Sequence, residues 1–133
     1  MLATVERADE LCREYVEREI KEGKYPPYKA NGMAYIRFAK EEKELFKLLY
    51  MRDRSNEFIP ETSEQLDEME ALINNNTGLS GEKAKLFHLE MWAYVHGIAV
   101  MFATGFLDLD WELVSEMLTD SYQGLCSRFR KDK

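Results

Sequence analysis

Residues that favour β-structure and turns are scarce in this chain of 133 residues. It has 7 glycines, 3 prolines and only five each of valine, isoleucine and threonine. β-Sheet proteins need more of these residues for their strands and turns, so the composition favours an all-α fold. A single domain of this length buries enough surface to fold without a disulfide or a metal.

Signals for export, for membrane insertion and for nucleic-acid binding are also lacking. No uninterrupted run of about 18 apolar residues is present, so we expect no membrane span. Charges begin at Glu6, which argues against a signal peptide. The formal net charge of −7 makes the chain alone a poor ligand for nucleic acid. We interpret Cys12 and Cys126 as reduced packing thiols of a cytoplasmic protein.

Catalytic and metal-binding motifs do not occur in the sequence. It lacks the G-x-S-x-G elbow, the Walker loop, the dinucleotide glycine pattern, C-x-x-C and H-E-x-x-H. A di-iron bundle would need glutamate three residues before each histidine, where this chain has Lys85 and Ala93. We therefore expect that the protein binds no metal and no cofactor and that it is not an enzyme. An acid–base pair could come only from His96 with Tyr35 or Glu90.

Apolar residues recur at helical spacing along most of the chain and predict a bundle of about six helices. Gly23 ends the first of them. We expect a bend at 42–44, and helix caps at Ser80 and at Asp108 or Asp110. The predicted helices cover residues 2–22, 31–43, 44–54, 60–74, 81–105 and 110–130.

The fifth predicted helix is apolar on nearly every side. Between Leu86 and Phe106 its only acidic or imidazole side chains are His88, Glu90 and His96. In so small a domain, such a helix needs its own core on one face and a second subunit on the other. The last helix has an equally broad apolar stripe, so we predict a homodimer through both helices. The candidate interface residues are Met91, Tyr94, Ile98, Met101, Phe102, Val114, Met117, Leu118, Tyr122, Leu125 and Phe129.

Small residues on the fifth helix leave two interpretations open. Glycine in a helix interior costs about 1 kcal/mol relative to alanine, so something is expected to approach the backbone of Gly97 closely. Ala93 and Gly97 serve either packing within the chain or the dimer contact. The sequence also leaves two candidates for the face of α5 that meets the partner subunit. One face contains Trp92, His96 and Val100. The other contains Tyr94, Met91 and Met101, and it is the one that we favour.

Three ring side chains follow one another at intervals of four residues on the fifth helix. His88, Trp92 and His96 therefore share one face. They form the wall of a ligand pocket, or the histidines are core residues whose nitrogens bond to backbone or water. Methionine and aromatic residues of other helices allow the same two interpretations, pocket or plain core. The candidate pocket residues are Tyr35, Phe38, Met51, Met69, Leu89, Trp92, His96 and Val100.

Two segments resemble a known family. The segment from Trp92 to Gly97, Trp-Ala-Tyr-Val-His-Gly, is similar to a Trp-x-x-x-His-Gly signature in the C-terminal domain of TetR-type transcriptional regulators. The stretch from Ala34 to Leu49 resembles a Tyr-x-x-Phe-Ala and Leu-Phe-x-Leu segment of the same family. Their order, separation and helical setting agree, and the resemblance covers essentially the whole chain.

The resemblance implies a two-part architecture. In this family an N-terminal helix-turn-helix head binds operator DNA, and the C-terminal domain binds an inducer and dimerises through its last two helices. Carried over, residues 81–105 and 110–130 form an intersubunit four-helix bundle, and the pocket lies among the earlier helices. We expect residues 1–133 to be a single ligand-binding and dimerisation domain, with the DNA-binding head absent from this chain.

Two functions compete on this basis. The leading hypothesis is a sensor domain that binds an apolar small-molecule inducer, which alters operator binding by the head. The alternative is a free-standing helical protein that sequesters a partner regulator by heterodimerisation. A stable heterodimer formed at the expense of the homodimer would distinguish the second from the first.

Overall fold

Six α-helices account for most of residues 2–51 and 63–131, which are the residues described by the computed structural model. This part of the chain contains no strand, so the predicted all-α fold is confirmed. The helices are α1 (Leu2–Glu22), α2 (Pro27–Glu41), α3 (Lys43–Tyr50), α4 (Ser63–Thr77), α5 (Gly81–Ala103) and α6 (Trp111–Lys131).

The second helix begins four residues earlier than its apolar pattern predicts. Proline lacks an N–H, but the first turn of a helix needs none, so Pro27 starts α2 instead of preventing it. The bend predicted at 42–44 is confirmed, because Glu42 leaves helical geometry with φ −120° and ψ 58° between α2 and α3. Helix α3 ends at Tyr50, and the predicted extension over 52–54 lies outside the described residues.

Helix α5 begins at Gly81 as predicted, but its N-terminus is capped differently from the prediction. Ser80 makes no side-chain capping bond. Instead, the backbone N–H of Gly81 donates to Oε1 of Glu70 at 2.9 Å. A carboxylate at a helix N-terminus is favourable because it faces free N–H groups and the positive end of the helix dipole. Glu70 belongs to α4, so this bond also ties α4 to α5. The start predicted for the fourth helix at 60–62 lies outside the described residues.

Helix α2 is the centre of the bundle, because it packs against each of the other five helices. Its buried side chains include Met33, Ile36 and Phe38, which form the main core with residues of α1, α3, α5 and α6. Gly32 permits the close approach of α6: a Cβ there would lie 3.0 Å from Cδ2 of Leu118. A second, smaller core beneath α4 is formed by Ile73, Leu79, Ala84, Phe87, Met91 and Phe129.

Helix α5 has the length and composition of a membrane-spanning segment, with a mean hydropathy of 1.3 over 18 residues. Core helices pass the same test, and 39% of this stretch is buried within the chain. The expectation that no segment crosses a membrane therefore stays a prediction. The packing also leaves an apolar outer face on α5, which bears on partner binding.

Candidate functional site

Two tyrosines of α2 hold the two histidines of α5. The hydroxyl of Tyr28 lies 3.1 Å from Nδ1 of His88, and the hydroxyl of Tyr35 lies 2.7 Å from Nδ1 of His96. The two tyrosines are about two turns apart on α2, and the two histidines are about two turns apart on α5. The later tyrosine bonds to the later histidine, so α2 and α5 run side by side in the same direction. The partners of the histidine nitrogens are therefore tyrosine hydroxyls, which neither sequence interpretation specified.

The second pair belongs to a cluster of five rings, which lies where α2, α3 and α5 meet. We call it the Tyr35 cluster; its members are Tyr35, Phe46, Tyr50, Trp92 and His96. The Tyr35 ring lies 4.8 Å from that of Tyr50 and 5.5 Å from that of Phe46, both edge-on. The His96 ring stacks on Trp92, with centroids 4.7 Å apart and planes inclined by 10°. Edge-on and stacked geometries are those that aromatic rings prefer, so the cluster is well packed.

The titratable groups of the Tyr35 cluster are neutral at pH 7. Burial lowers the pKa of His96 below its ordinary 6.5, because the charged imidazolium loses solvation. Burial likewise raises the pKa of the Tyr35 and Tyr50 hydroxyls well above 10. A neutral hydroxyl bonded to a neutral imidazole is suited to recognising a polar group of an uncharged ligand.

The neighbouring thiol extends this neutral region. Cys12 of α1 is buried, with Sγ 3.7 Å from the Tyr50 hydroxyl. Burial raises the pKa of Cys12 to about 11, so it remains a thiol and is unreactive at neutral pH. The prediction of a reduced packing thiol is confirmed for this residue.

The predicted pocket residues fall into three groups. Tyr35, Trp92 and His96 come together in the Tyr35 cluster, as expected for one wall of a site. Phe38 is fully buried in the main core and packs edge-on against Tyr15, so its ring is a core residue in this conformation. The others lie at or near the surface: Met51 and Leu89 are exposed, Met69 is half-buried, and Val100 is half-buried and packs against the main core.

The predicted dimer residues are likewise divided. Most of the large ones are already buried within the chain: Met91, Ile98, Phe102, Val114, Leu118 and Phe129. Tyr94 is exposed, and Met101, Met117, Tyr122 and Leu125 are half-buried. The favoured face, containing Met91, therefore points partly into the second core. The exposed apolar face of α5 contains Leu86, Leu89, Ala93 and Gly97. It overlaps the first of the two sets that the sequence offered at Val100, which lies about 20° from Ala93 around the helix.

The glycine of that face has no explanation within the chain. A Cβ at Gly97 would meet nothing within 4 Å, and the same holds for Gly124 in the middle of α6. Gly32, by contrast, is required by the approach of Leu118. Because glycine lowers helix stability, its presence at two uncrowded helix-interior positions favours close contact with another molecule there.

Several residues of the arrangement escaped the sequence analysis. Phe46, Tyr50 and Tyr28 were not among the candidate site residues, and Tyr28 lay outside the predicted helices. A further link was missed altogether: Arg37 of α2 donates from Nε to Glu19 of α1 at 2.9 Å, and its guanidinium lies 4.6 Å over the ring of Trp111. The helical spacing of Tyr28 and Tyr35, seven residues apart, was the available signal for the Tyr–His pairs.

A family profile described as tetracyclin repressor-like, C-terminal domain, matches residues 28–122. The chain belongs to this family. The predicted resemblance to the C-terminal domain of TetR-type regulators is thereby confirmed at the level of the family. Comparisons with curated proteins and with solved structures gave no match.

The region matched to the tetracyclin repressor-like domain leaves out α1 and the part of α6 after Tyr122, which contains Gly124 and Phe129. The match begins at Tyr28 and ends at Tyr122, so both Tyr–His pairs and the apolar face of α5 lie within it. Membership in this family indicates a regulatory, ligand-binding class of domain. The ligand, the partner and the DNA-binding head are not specified by it.

Proposed function

We propose that this domain is the ligand-sensing and dimerisation part of a TetR-type transcriptional regulator. The observation that carries the proposal is the Tyr35 cluster, in which a neutral Tyr35–His96 pair and the half-exposed Trp92 lie among apolar rings. Apolar walls with a few fixed polar groups are typical of small-molecule sites. An uncharged apolar inducer suits this environment, because there is no charged side chain within the cluster to pair with an ion.

The proposed response uses the connection from this cluster to α1. Tyr35 and Arg37 are on the same helix, and Arg37 bonds to Glu19 of α1. A ligand that binds one position of α2 more tightly than another shifts the population of α1 positions by that difference in affinity. A DNA-binding head joined to α1 would then change its spacing relative to the head of the second subunit, which alters operator binding.

The exposed face of α5 supports homodimerisation. Leu86 and Leu89 are 48% and 62% exposed, and Gly97 lies on the same side of α5 about two turns after Leu89. On α6, Leu113 is exposed and Gly124 lies on the same side of the helix. Contiguous exposed apolar residues mark interaction surfaces. A second copy of the chain, placed with α5 and α6 against these two faces, would bury them in a four-helix bundle.

A thermal-shift screen tests the sensor role. Uncharged apolar compounds are added to the purified protein, and we expect a subset to raise the melting temperature in a concentration-dependent way, since a ligand of the folded state stabilises it. The variant Tyr35→Phe should weaken this shift, whereas Tyr94→Phe, on the exposed surface, should leave it unchanged. A panel in which no compound stabilises the wild-type chain would contradict the sensor role.

The alternative of sequestration by heterodimerisation is served by the same apolar face. It predicts that the chain, mixed with a second regulator of the same family, exchanges subunits until the heterodimer dominates. Native mass spectrometry of equimolar mixtures measures this directly. Homodimers that persist after long incubation would contradict the alternative and favour the sensor domain.

A further inference from the structure

The indole of Trp92 is a flat apolar surface with a fixed orientation. The His96 ring stacks on it, and the Tyr35 ring contacts it at 6.3 Å with an inclination of 57°. His96 is itself held by the Tyr35 hydroxyl. Because two neighbours fix the indole plane, little conformational freedom is lost when a ligand lies on it.

Part of the Trp92 side chain is open to solvent, since the residue is 41% exposed. The imidazole of His96 lies against one face of the indole, so a ligand that stacks on this ring has to use the opposite face. Around α5, Trp92 projects about 100° away from Ala93, which lies at the centre of the face assigned above to the partner subunit. A second copy centred on Ala93 would therefore approach α5 from a different side from the one that carries the indole.

The electrostatic surroundings disfavour an anionic ligand. Tyr35, Tyr50 and His96 are neutral at pH 7 for the reasons given above, so the cluster offers no full charge to pair with a ligand ion. The net charge of −7 disfavours anions in addition. The His96 ring is stacked parallel to the Trp92 indole. A flat ring of a ligand could stack in the same way on the other face of the indole.

We infer that Trp92 is a stacking platform for an uncharged planar aromatic ligand, which lies on the indole face opposite His96. This inference rests on the sensor function proposed above and adds the chemical class of the ligand. Stacking contributes beyond the area that it buries, so an aromatic compound binds roughly two- to tenfold more tightly than its saturated analogue of the same outline.

The test compares 2-naphthol with decahydro-2-naphthol, which differ in aromaticity but share the carbon skeleton and hydroxyl. The chain has only two tryptophans, so its ¹H–¹⁵N spectrum contains two indole signals, which the variant Trp111→Phe assigns. We expect 2-naphthol to shift the Trp92 signal and to bind roughly two- to tenfold more tightly than the saturated compound. Trp92→Leu should abolish this preference, Trp92→Phe should retain part of it, and Trp111→Phe should retain all of it.

Each remaining outcome overturns the inference or separates it from the sensor function. Equal affinity of the two compounds for the wild-type chain overturns stacking. A Trp92 signal that moves with protein concentration, without any probe, shows that a partner subunit covers the indole and also overturns it. If screened compounds stabilise Trp92→Leu as much as wild type, the sensor function stands and the platform is wrong.

Discussion

Tyr35 and His96 each carry a polar atom into an apolar cluster, and each satisfies the other. The hydrogen bond is 2.7 Å long and lies between residues that are half-buried. Water reaches such a position poorly, so a group left without its partner is not fully solvated in exchange. The pair therefore helps to fix the relative position of α2 and α5. Removing one member lowers the free energy of unfolding, because the polar group of the other member is left without a partner.

Tyr35→Phe should lower the free energy of unfolding by about 1 kcal/mol, because Nδ1 of His96 loses its partner while the ring packing is retained. Chemical denaturation followed by circular dichroism measures this loss. The matched control is Tyr94→Phe, whose side chain is exposed and which should change stability by less than about 0.5 kcal/mol. Equal effects of the two variants would show that the hydroxyl of Tyr35 contributes nothing particular.

His96 should make stability depend on pH just below neutrality. The folded state lowers the pKa of His96, so the unfolded chain, with an imidazole pKa near 6.5, binds more protons there. Stability therefore rises with pH across the interval between the two pKa values and falls on acidification from pH 7. In His96→Gln this contribution vanishes, so the stability advantage of wild type over the variant should shrink as the pH is lowered. A constant difference between pH 7.5 and 5 would contradict the assignment.

Among the helices, α1, α2 and α6 meet at Arg37. Its guanidinium bonds to Glu19, which is only 4% exposed, and covers the ring of Trp111. Lys40 lies over the same ring at 5.7 Å, so two cations flank Trp111. The link connects the N-terminal helix to a helix of the proposed dimer interface without passing through the Tyr35 cluster.

Arg37→Met keeps much of the aliphatic packing but leaves the carboxylate of Glu19 buried without its cation. We expect a loss of about 2–3 kcal/mol in the free energy of unfolding, below the value for a fully buried pair because Arg37 is partly exposed. Arg13→Met breaks the 2.8 Å ion pair with Asp9 on the surface of α1 and should cost at most about 1 kcal/mol. Urea titrations of both variants provide the comparison, and similar losses would remove the special role of Arg37.

The sequence predicted helices better than it predicted the contacts between them. Helical periodicity found α1 and the bend at Glu42, because these depend on the local chain. It placed the start of α2 four residues late and put the α5 cap on Ser80, since a proline at a first turn and a carboxylate from α4 follow from tertiary context. Trp92 and His96 were found from their spacing. The partnership with Tyr35 depends on the register between α2 and α5, which one helix alone does not specify.

At the scale of the whole molecule, the outer faces of α5 and α6 determine the proposed assembly. Large apolar side chains and two unexplained glycines lie on the same surface, and both features favour close contact between helices. In the connection between the helices, Phe106 is 74% exposed, so the apolar surface continues beyond the end of α5.

Gly97→Ala should raise the stability of one subunit and lower the affinity between two subunits. Alanine stabilises the α5 helix by about 0.5–1 kcal/mol, because a Cβ meets nothing within the chain. The same Cβ should weaken the dimer if another backbone approaches there. Sedimentation equilibrium gives the dissociation constant, and Glu17→Ala, on the exposed side of α1, is the control for a substitution remote from the interface. An unchanged dissociation constant for Gly97→Ala would place the contact elsewhere.

The central position of α2 constrains how related sequences can diverge. Every other helix rests on it, so a change of side-chain volume in α2 is felt at more than one interface. A single compensating substitution in one neighbour then restores only part of the packing. Among homologues, α2 should therefore vary more slowly than α1 or α6. Where its positions do change, they should co-vary with residues of two different helices at once, with Gly32 tied to the residues at 95 and 118.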